Sequence, residues 1–443
     1  MDDLRARVRE LTPRIRADLE RLVRIPSVSA EGFDPEQVIE SAKATAEILE
    51  GAGFQDVRFL EVEGAHPAVA GHIQGPEGGP TVMLYAHHDV QPAGDPAEWT
   101  SPPFEPTERD GRLYGRGSTD DKAGVMAHAA AVLAHEGRPP VSVTAFIEGE
   151  EETGSENLPA FLEAHSAALQ ADVIVLADSV NWRVGQPALT TSLRGLVDCT
   201  VEVRTLGHSV HSGFLGGVFP DALTVLSRLL ATLHDEKGSV AVEGLVGEDA
   251  DPLDLTEAEM RELGDTVEGL QAIGEGSLTS RLWTQPAVSV LAIDAPKVQD
   301  ASNTLVPVAR AKVSLRLAPG QDPQAAMDAL ARHLEERVEW GAELTVTPGA
   351  IAHPARIDAT GKPYDAARRA FREAWGTEPV DVGAGGTIPF VRAFMEALPD
   401  AAILVTGVED PDGRAHGTDE SLHLDEFERI CLAEALLLRE LAT

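Results

Sequence analysis

The sequence has little cysteine, few aromatic residues and few positive charges. With two cysteines, Cys199 and Cys431, the chain can form at most one disulfide bond. It has 73 acidic and 36 basic residues, so the formal net charge is −37. A surface this acidic repels phosphate backbones and anionic lipid headgroups, which excludes nucleic acids and membranes as partners.

Long apolar runs are also missing. The N-terminal segment MDDLRARVRE lacks the apolar region of a signal peptide, and nowhere do ~18 apolar residues run together. We therefore expect a soluble, cytoplasmic protein. The hydrophobic fraction of 43% is nevertheless that of a globular chain. At roughly 150 residues per domain, 443 residues predict two or three compact units.

The first part of the chain alternates predicted helices with short apolar runs. Apolar residues at intervals of three and four predict a helix over residues 1–25. A second helix is predicted to start at Asp34-Pro35 and to end at Gly53. Segments 123–135 and 155–168 are further predicted helices. Apolar runs that predict buried parallel strands occur at 82–86, 141–147, 172–177 and 401–405.

The pattern changes near residue 193. Apolar and polar residues alternate strictly at 199–204 and at 312–317, which predicts half-exposed strands covered by helices on one face. The acidic segment 247–268 is predicted to be solvated and partly helical. The buried-strand pattern returns after about residue 355. We therefore predict an α/β fold, a doubly wound, mainly parallel sheet built from 1–192 and 355–443, with a smaller α+β domain inserted at 193–354.

Potential metal ligands follow four of the predicted buried strands. In open α/β sheets, functional groups gather beyond the carboxyl ends of the strands, so we expect these side chains to share one site. In strand order, the residues are His87, His88 and Asp89; Glu148, Glu150, Glu151 and Glu152; Asp178; and His416.

The His87-His88-Asp89 segment has the pattern of a metal ligand with its supporting acid. A strand period of two puts His87 and Asp89 on one face and turns His88 away. A metal-binding imidazole needs an acceptor for its other nitrogen, and a neighbouring carboxylate provides one. The alternative is a strand end with solvated polar residues.

The acidic run at 148–152 has two interpretations. Like charges this close cost free energy unless they are solvated or neutralised. An acidic helix start at 153–155 is one explanation, since a helix N-terminus favours anions. At the end of a buried strand, however, bound cations are the better neutraliser.

The turn GRGSTDDK at 115–122 resembles a phosphate-binding loop only superficially. It lacks the GxxxxGK[ST] spacing, so we do not expect a nucleotide there. A carboxylate presented by a tight glycine turn suits metal bridging better.

Several motifs along the chain together indicate a family. The chain resembles the zinc aminoacylase/carboxypeptidase/dipeptidase superfamily of co-catalytic metallopeptidases, and within it the cytosolic non-specific, carnosinase-like dipeptidases. The resemblance covers nearly the whole chain. The motifs, in order, are YAHHDVQP, EWTSPPF, LYGRGSTDDKAG, EGEEETGS, VLADS, VHSGFLGG, SLRLAPG, GGTIP and AHGTDES.

The resemblance implies a centre with two divalent metal ions, zinc by preference and manganese or cobalt as alternatives. Glu151 is implied to be the general base that takes a proton from a shared water and passes it to the leaving amine, and Asp89 to orient a ligand. The implied ligands are His87 and Asp178 for the first metal, Glu152 and His416 for the second, and Asp120 as the bridge.

The resemblance also implies that the inserted domain is a lid and a dimerisation domain, and hence that the protein is a homodimer. His211 of VHSG is implied to stabilise the tetrahedral oxyanion, often from the partner subunit, and Arg316 to hold the substrate carboxylate. A polar loop histidine and a solvated strand face are the respective alternatives. Many relatives carry a glutamate before the Gly-Gly of GGTIP, where this chain has Ala384, so carnosine-like specificity is not implied.

The function expected from these features is metal-dependent hydrolysis of dipeptides or short peptides. One alternative is an amidohydrolase of N-acyl amino acids with the same metal site. Another is an acidic, cation-binding protein without catalysis. Two histidine ligands suit zinc rather than calcium, and a spare Glu151 beside Glu152 favours an enzyme.

Overall fold

The structure is a computed structural model that describes residues 2–386 and 389–443. The chain divides into two compact units. Unit 1 comprises Met1–Thr191, Ile357–Val382 and Pro389–Thr443, and unit 2 comprises Ser192–Arg356 and Gly383–Ile388. The lid and dimerisation roles expected of the inserted segment remain predictions.

Helices occur throughout the described chain. Within these residues none has both the length and the apolar character needed to cross a bilayer. The helices are α1 (Asp2–Val23), α2 (Pro35–Ala52), α3 (Lys122–Ala134), α4 (Leu158–Ala164), α5 (Ser212–Leu215), α6 (Ala222–Ala231), α7 (Glu257–Leu263), α8 (Pro323–Arg337), α9 (Lys362–Trp375), α10 (Pro389–Ala397) and α11 (Leu424–Leu441).

Strands form one large sheet, the four-stranded sheet of unit 2, and two short accessory sheets of two and three strands. They are β1 (Gln55–Leu60), β2 (Ala68–Ile73), β3 (Thr81–His87), β4 (Thr107–Arg109), β5 (Arg112–Tyr114), β6 (Ser142–Glu148), β7 (Val173–Val180), β8 (Ala188–Leu193), β9 (Gly195–Arg204), β10 (Val210–His211), β11 (Ala287–Asp294), β12 (Thr304–Leu305), β13 (Val308–Leu317), β14 (Glu343–Ala352), β15 (Ala355–Arg356), β16 (Val380–Ala384), β17 (Ala402–Glu409) and β18 (Ser421–His423).

The sheet of unit 1 has the order β1-β2-β6-β3-β7-β17-β8. Its centre, β6-β3-β7-β17, is parallel throughout, whereas β2 and β8 run antiparallel to their inner neighbours. The inner strands are buried on both faces because helices cover both, which is why their sequences read as continuous apolar runs. The predicted doubly wound, mainly parallel sheet is confirmed.

Most predicted helices agree with the structure. In α2 the Asp34 side chain accepts a hydrogen bond from the Glu36 N–H, and Gly53 ends the helix at φ +108°, a conformation that glycine adopts without strain. The predicted helix 155–168 is wrong in length, because only Leu158–Ala164 is helical. Pro159 lies in its first turn, and the chain leaves the helix at His165.

Unit 2 is built on an antiparallel sheet of order β11-β13-β9-β14. Alternate residues of β9 and β13 pack against α6 and α8, and their neighbours point away to form surface ion pairs such as Arg310–Glu202. The predicted half-exposed strands are therefore confirmed. Cys199 lies in this core and is a free thiol, as is Cys431 of unit 1. In the acidic segment 247–268, only α7 is helical.

Candidate metal centre

The carboxyl ends of four adjacent parallel strands bring acidic and histidine side chains to one edge of the unit 1 sheet. β3 ends at His87, β6 ends at Glu148, β7 carries Asp178 and β17 ends at Glu409. His87 and Glu148 are direct neighbours in the register of β3 and β6. Parallel pairing aligns these ends, so the polar side chains that follow each apolar run converge.

His87 lies at the centre of the first donor group. Its Nε2 is 3.1 Å from Asp120 Oδ1, 3.8 Å from Asp178 Oδ2 and 3.9 Å from Glu151 Oε2. Its Nδ1 is 3.3 Å from Asp89 Oδ1, and the imidazole is fully buried. The ring is therefore held by an acid on one side and presents its other nitrogen to three carboxylates, the arrangement expected of a supported metal ligand.

Asp89 connects this histidine to the next turn of the chain. Its carboxylate accepts hydrogen bonds from Ser29 Oγ at 2.6 Å and from the backbone N–H groups of Glu151 and Glu152 at 3.2 and 3.1 Å. One buried carboxylate thus orients His87 and also fixes the short helical turn that carries both glutamates.

His416 forms the second donor group with Glu152 and Asp120. Its Nε2 is 2.9 Å from Asp120 Oδ2 and 3.2 Å from Glu152 Oε2. Gln91 donates to Glu152 from both its backbone N–H and its side-chain amide, each at 2.9 Å. Asp120 consequently directs one oxygen to His87 and the other to His416. Sequence reasoning missed Gln91, although it directly follows the HHDV segment.

The loop that carries His416 is held from both ends. Arg112 donates to both oxygens of Asp410 at 3.0 and 2.8 Å, and Asp419 accepts from the N–H and hydroxyl of Thr100 at 2.9 and 2.6 Å. His416 itself has φ +62°, an unusual conformation for a residue other than glycine. Its side chain is 58% exposed, whereas His87 is buried.

The turn that presents Asp120 is organised by Glu420. This buried carboxylate accepts from the backbone N–H groups of Gly117, Thr119 and Asp120 at 3.1, 3.1 and 3.3 Å, and from Arg116 Nη1 at 2.6 Å. Sequence reasoning missed Glu420, although it lies in the AHGTDES motif. Its role is to hold the turn that presents Asp120 against the loop that carries His416. No local sequence pattern reveals such a contact.

Burial and mutual repulsion shift the proton affinities of these groups. Burial raises the pKa of Asp178 to about 7, although the nearby His87 acts in the opposite direction. Burial also raises the pKa of Glu151 well above its usual range. Hydrogen bonds to Asp120 and Glu152 raise the pKa of His416 to about 11. The protein therefore concentrates negative charge where only cations or protons can neutralise it.

The donor atoms are of the kind and spacing that divalent metals require. Within each of three groups, one donor atom per residue lies within 4.8 Å of the others. Imidazole nitrogen combined with carboxylate oxygen suits zinc, manganese or cobalt. The groups are His87, Glu151 and Asp178; Asp120, Glu152 and His416; and Asp120, Asp178 and Glu409.

Comparison with known proteins identifies the family. Residues 83–440 match the sequence profile of peptidase family M20/M25/M40. This chain belongs to that family. The cysteinylglycine-S-conjugate dipeptidase of Corynebacterium striatum is 34% identical over 409 residues, which cover 90% of this chain and 89% of the relative. The human Beta-Ala-His dipeptidase is 32% identical over 366 residues, which cover 77% and 71%.

A solved structure supports the same fold. That of the dipeptidase Dug1p from Saccharomyces cerevisiae matches with a TM-score of 0.79 and 22% identity, over 99% of this chain and 98% of that chain. The predicted membership in a metallopeptidase superfamily is confirmed, and the dipeptidase branch is the one that the relatives support. The roles of the individual metal ligands and catalytic residues of this M20 chain remain predictions.

The acidic residues at 148–152 of this M20 chain have two kinds of contact. Glu151 and Glu152 reach the donor groups, whereas Glu148 accepts a hydrogen bond from the Tyr85 hydroxyl at 2.6 Å. Glu150 accepts from two backbone N–H groups at 3.0 Å each. His88 points away from the centre, as predicted, and its Nε2 lies 3.0 Å from the Pro67 carbonyl.

The remaining predicted site residues of the M20 chain lie in unit 2. His211 is exposed, and its Nδ1 accepts from the Gly213 N–H at 3.0 Å. Arg316 is half-buried on β13. Burial, followed by the charge of Arg316, lowers the pKa of Arg194 to about 10. Ala384 accepts from the Arg194 N–H at 3.2 Å, and the Thr387-Ile388 part of the GGTIP motif lies outside the described residues.

Proposed function

We propose that this protein is a metal-dependent dipeptidase in which Asp120 bridges two divalent cations and Glu151 is the general base. The observation that carries the proposal is the position of Asp120, with Oδ1 3.1 Å from the Nε2 of His87 and Oδ2 2.9 Å from the Nε2 of His416. A bridging carboxylate between two histidine-containing donor groups is the arrangement that a co-catalytic pair requires.

The proposed mechanism assigns different steps to the cations, to Glu151 and to Asp89. Bound cations would supply Lewis acidity toward the scissile carbonyl and lower the pKa of a water. Glu151, whose own pKa is raised by burial, accepts the proton of the attacking water and returns it to the leaving amine. Asp89 keeps the His87 imidazole oriented and holds the turn that carries Glu151. No other described residue is assigned to proton transfer.

Zinc is the proposed metal at both positions. Each donor group combines one imidazole with carboxylates, a combination that zinc binds well and that calcium does not favour. Manganese and cobalt accept the same donors and are the alternatives. Exchange of the metal and measurement of affinity for each ion decide among them.

A dipeptide is the proposed substrate. The relatives named above are a cysteinylglycine-S-conjugate dipeptidase and a Beta-Ala-His dipeptidase, which disfavours hydrolysis of N-acyl amino acids. Because Ala384 replaces the glutamate of many relatives, no carboxylate from that position contacts the substrate. We therefore propose cleavage of α-linked dipeptides in preference to β-alanyl ones.

Unit 2 is proposed to complete the site and to form a homodimer. His211 would stabilise the oxyanion from the partner subunit, and Arg316 would bind the substrate carboxylate. The proposed contact surface is the edge strand β11, where Val290, Leu291 and Ile293 are 42%, 62% and 48% exposed. An apolar edge strand with free backbone groups favours pairing with a second copy.

A substrate panel tests the activity. The purified protein, loaded in turn with zinc, manganese and cobalt, is assayed against Cys-Gly, Ala-Gly, β-Ala-His and N-acetyl amino acids. We expect the highest kcat/KM for the α-dipeptides. Faster turnover of the N-acetyl compounds would assign the protein to the deacylases instead.

The dimer is tested by Leu291→Arg. Sedimentation should give a dimer for the wild type and a monomer for Leu291→Arg. The matched control is Phe59→Arg in unit 1, where Phe59 is 45% exposed and the change should leave the dimer intact. A monomeric wild type would refute the assembly.

A further inference from the structure

A third carboxylate-rich group borders the proposed two-cation centre, and the family resemblance does not account for it. Glu409 is the last residue of β17 and is only 7% exposed. One of its carboxylate oxygens lies within 4.8 Å of oxygens of Asp120 and Asp178. Its side chain is therefore directed into the centre and away from solvent.

The neighbouring acids of the same loop show why Glu409 is different. Asp410 is paired with both terminal nitrogens of Arg112, and Glu420 accepts from three backbone N–H groups and from Arg116. Glu409 has no comparable donor among residues 2–386 and 389–443. Its ionisable neighbours include the carboxylates of Asp120, Asp178 and Glu420, and His416 is a neighbour that can carry a positive charge.

A buried carboxylate surrounded by carboxylates is costly unless a cation neutralises it. The side chains of Asp120, Asp178 and Glu409 offer oxygen donors at the spacing of a single ion's ligands. We propose that Glu409 is an additional metal ligand, which with Asp120 and Asp178 gives the centre an oxygen-rich face and raises its affinity for Mn²⁺ relative to Zn²⁺. The inference rests on the proposed two-cation centre.

The selectivity follows from the donor types. Glu409 belongs to a group of three carboxylates without an imidazole, whereas the His416 group offers one imidazole and two carboxylates. Additional hard oxygen donors favour manganese relative to zinc, which binds imidazole and thiolate more strongly. The two metal positions should therefore differ in how strongly they favour zinc over manganese.

The test is metal binding without substrate. Chelator-treated wild type, Glu409→Gln and Glu409→Asp are titrated with Mn²⁺, with electron paramagnetic resonance reporting free Mn²⁺, and with Zn²⁺ against a chromophoric chelator. In Glu409→Gln the affinity for one of the two Mn²⁺ ions should fall by ~10- to 100-fold. The affinity for Zn²⁺ should fall by clearly less. Glu409→Asp keeps the charge but shortens the reach, so it should also lose manganese affinity.

The matched control is Glu148→Gln, which alters a fully buried carboxylate at the end of β6 that is bonded to Tyr85 and belongs to none of the donor groups. Its Mn²⁺ affinity should equal that of the wild type. Wild-type Mn²⁺ affinity in Glu409→Gln would overturn the inference. Wild-type Mn²⁺ affinity in Glu409→Asp would also overturn it, even if Glu409→Gln binds weakly, because the charge of residue 409 would then matter and direct ligation would not.

A second readout does not depend on affinity or on stability. In the Co²⁺-loaded protein, loss of a carboxylate ligand changes the visible d–d absorption, so Glu409→Gln should differ from the wild type and Glu148→Gln should not. Identical spectra for Glu409→Gln and wild type would refute direct ligation. If the wild type itself binds no metal, the proposed function fails. If it binds two ions and the Glu409 variants bind them as the wild type does, this inference alone fails.

Discussion

The two units place their charges in opposite ways. In unit 1, buried carboxylates collect at one edge of a parallel sheet, and Glu409, Asp120 and Glu420 are each less than a tenth exposed. In unit 2, acids such as Glu202 lie on the outer face of an antiparallel sheet and pair with arginines at the surface. The same residue types are thus costly in one unit and nearly neutral in the other.

The difference teaches where chemistry is located in this fold. A parallel sheet buried on both faces delivers several strand ends to one edge, where buried charges interact strongly and would be neutralised by the proposed cations. An antiparallel sheet with one open face offers apolar edges and exposed side chains, which suit binding of substrate or of a second copy. Variants in each unit should therefore fail in different ways.

The largest effect is expected at Asp120. Asp120→Ala removes the carboxylate whose two oxygens lie 3.1 Å from His87 and 2.9 Å from His416, so more than one metal equivalent and nearly all activity should be lost. Elemental analysis and turnover measure these quantities. Glu202→Ala in unit 2 is the control, because its surface pairs with Arg204 and Arg310 contribute little. Two tightly bound metals in Asp120→Ala would exclude a bridging role.

Glu151 separates chemistry from metal binding within unit 1. Glu151→Gln keeps the size and polarity of the side chain but removes the base, so metal content should persist while kcat falls by ~10²–10⁴-fold. Glu156→Gln changes an exposed acid a few residues further along the chain and should cost little activity. More than about a tenth of wild-type kcat in Glu151→Gln would falsify its role as the base.

His211 tests whether unit 2 contributes to catalysis. His211→Ala should bind two metals normally and lose ~10²–10³-fold in kcat, as expected for an oxyanion donor. Mixing His211→Ala subunits with Glu151→Gln subunits should restore activity, since each supplies what the other lacks. If exchange of subunits is demonstrated and no activity returns, His211 acts within its own subunit or outside catalysis.

The smallest effect concerns stability of the chelated protein. The pKa of Asp178 is raised by burial to about 7, so between pH ~4 and 7 the folded chain holds a proton that the unfolded chain has released. The pKa of His416 is raised to about 11 by its bonds to Asp120 and Glu152. Above pH ~6.5 the folded chain therefore holds a second proton that the unfolded chain has released. Both contributions make the free energy of unfolding fall as pH rises.

We therefore expect the Tm of the chelated protein to fall by several degrees from pH 5 to pH 8. Bound metal replaces these protons, so the loaded protein should lose less over the same range. In Asp178→Asn the slope between pH 5 and 7 should be shallower than in the wild type. A chelated protein that gains stability toward pH 8 would show that other groups dominate.

Local patterns were sufficient for much of the fold. The caps of α2 at Asp34 and Gly53 were predictable because one or two residues determine them. The length of α4 was not, because helical periodicity continues past the residue at which the chain turns. Among the site residues, His87 and Asp178 follow apolar strands and are visible in the sequence, whereas Gln91 and Glu420 act on residues that are distant or that carry no periodic signal.

What the sequence alone determined is which strands are buried, which polar residues follow them, and which family motifs occur in order. Only the tertiary structure decided which acids of the 148–152 run reach the donor groups, and that Glu409 joins Asp120 and Asp178. The physical reason is that burial and strand alternation are encoded over a few neighbouring residues. Convergence of side chains separated by some three hundred positions depends instead on strand order and loop anchoring, which only the folded chain fixes.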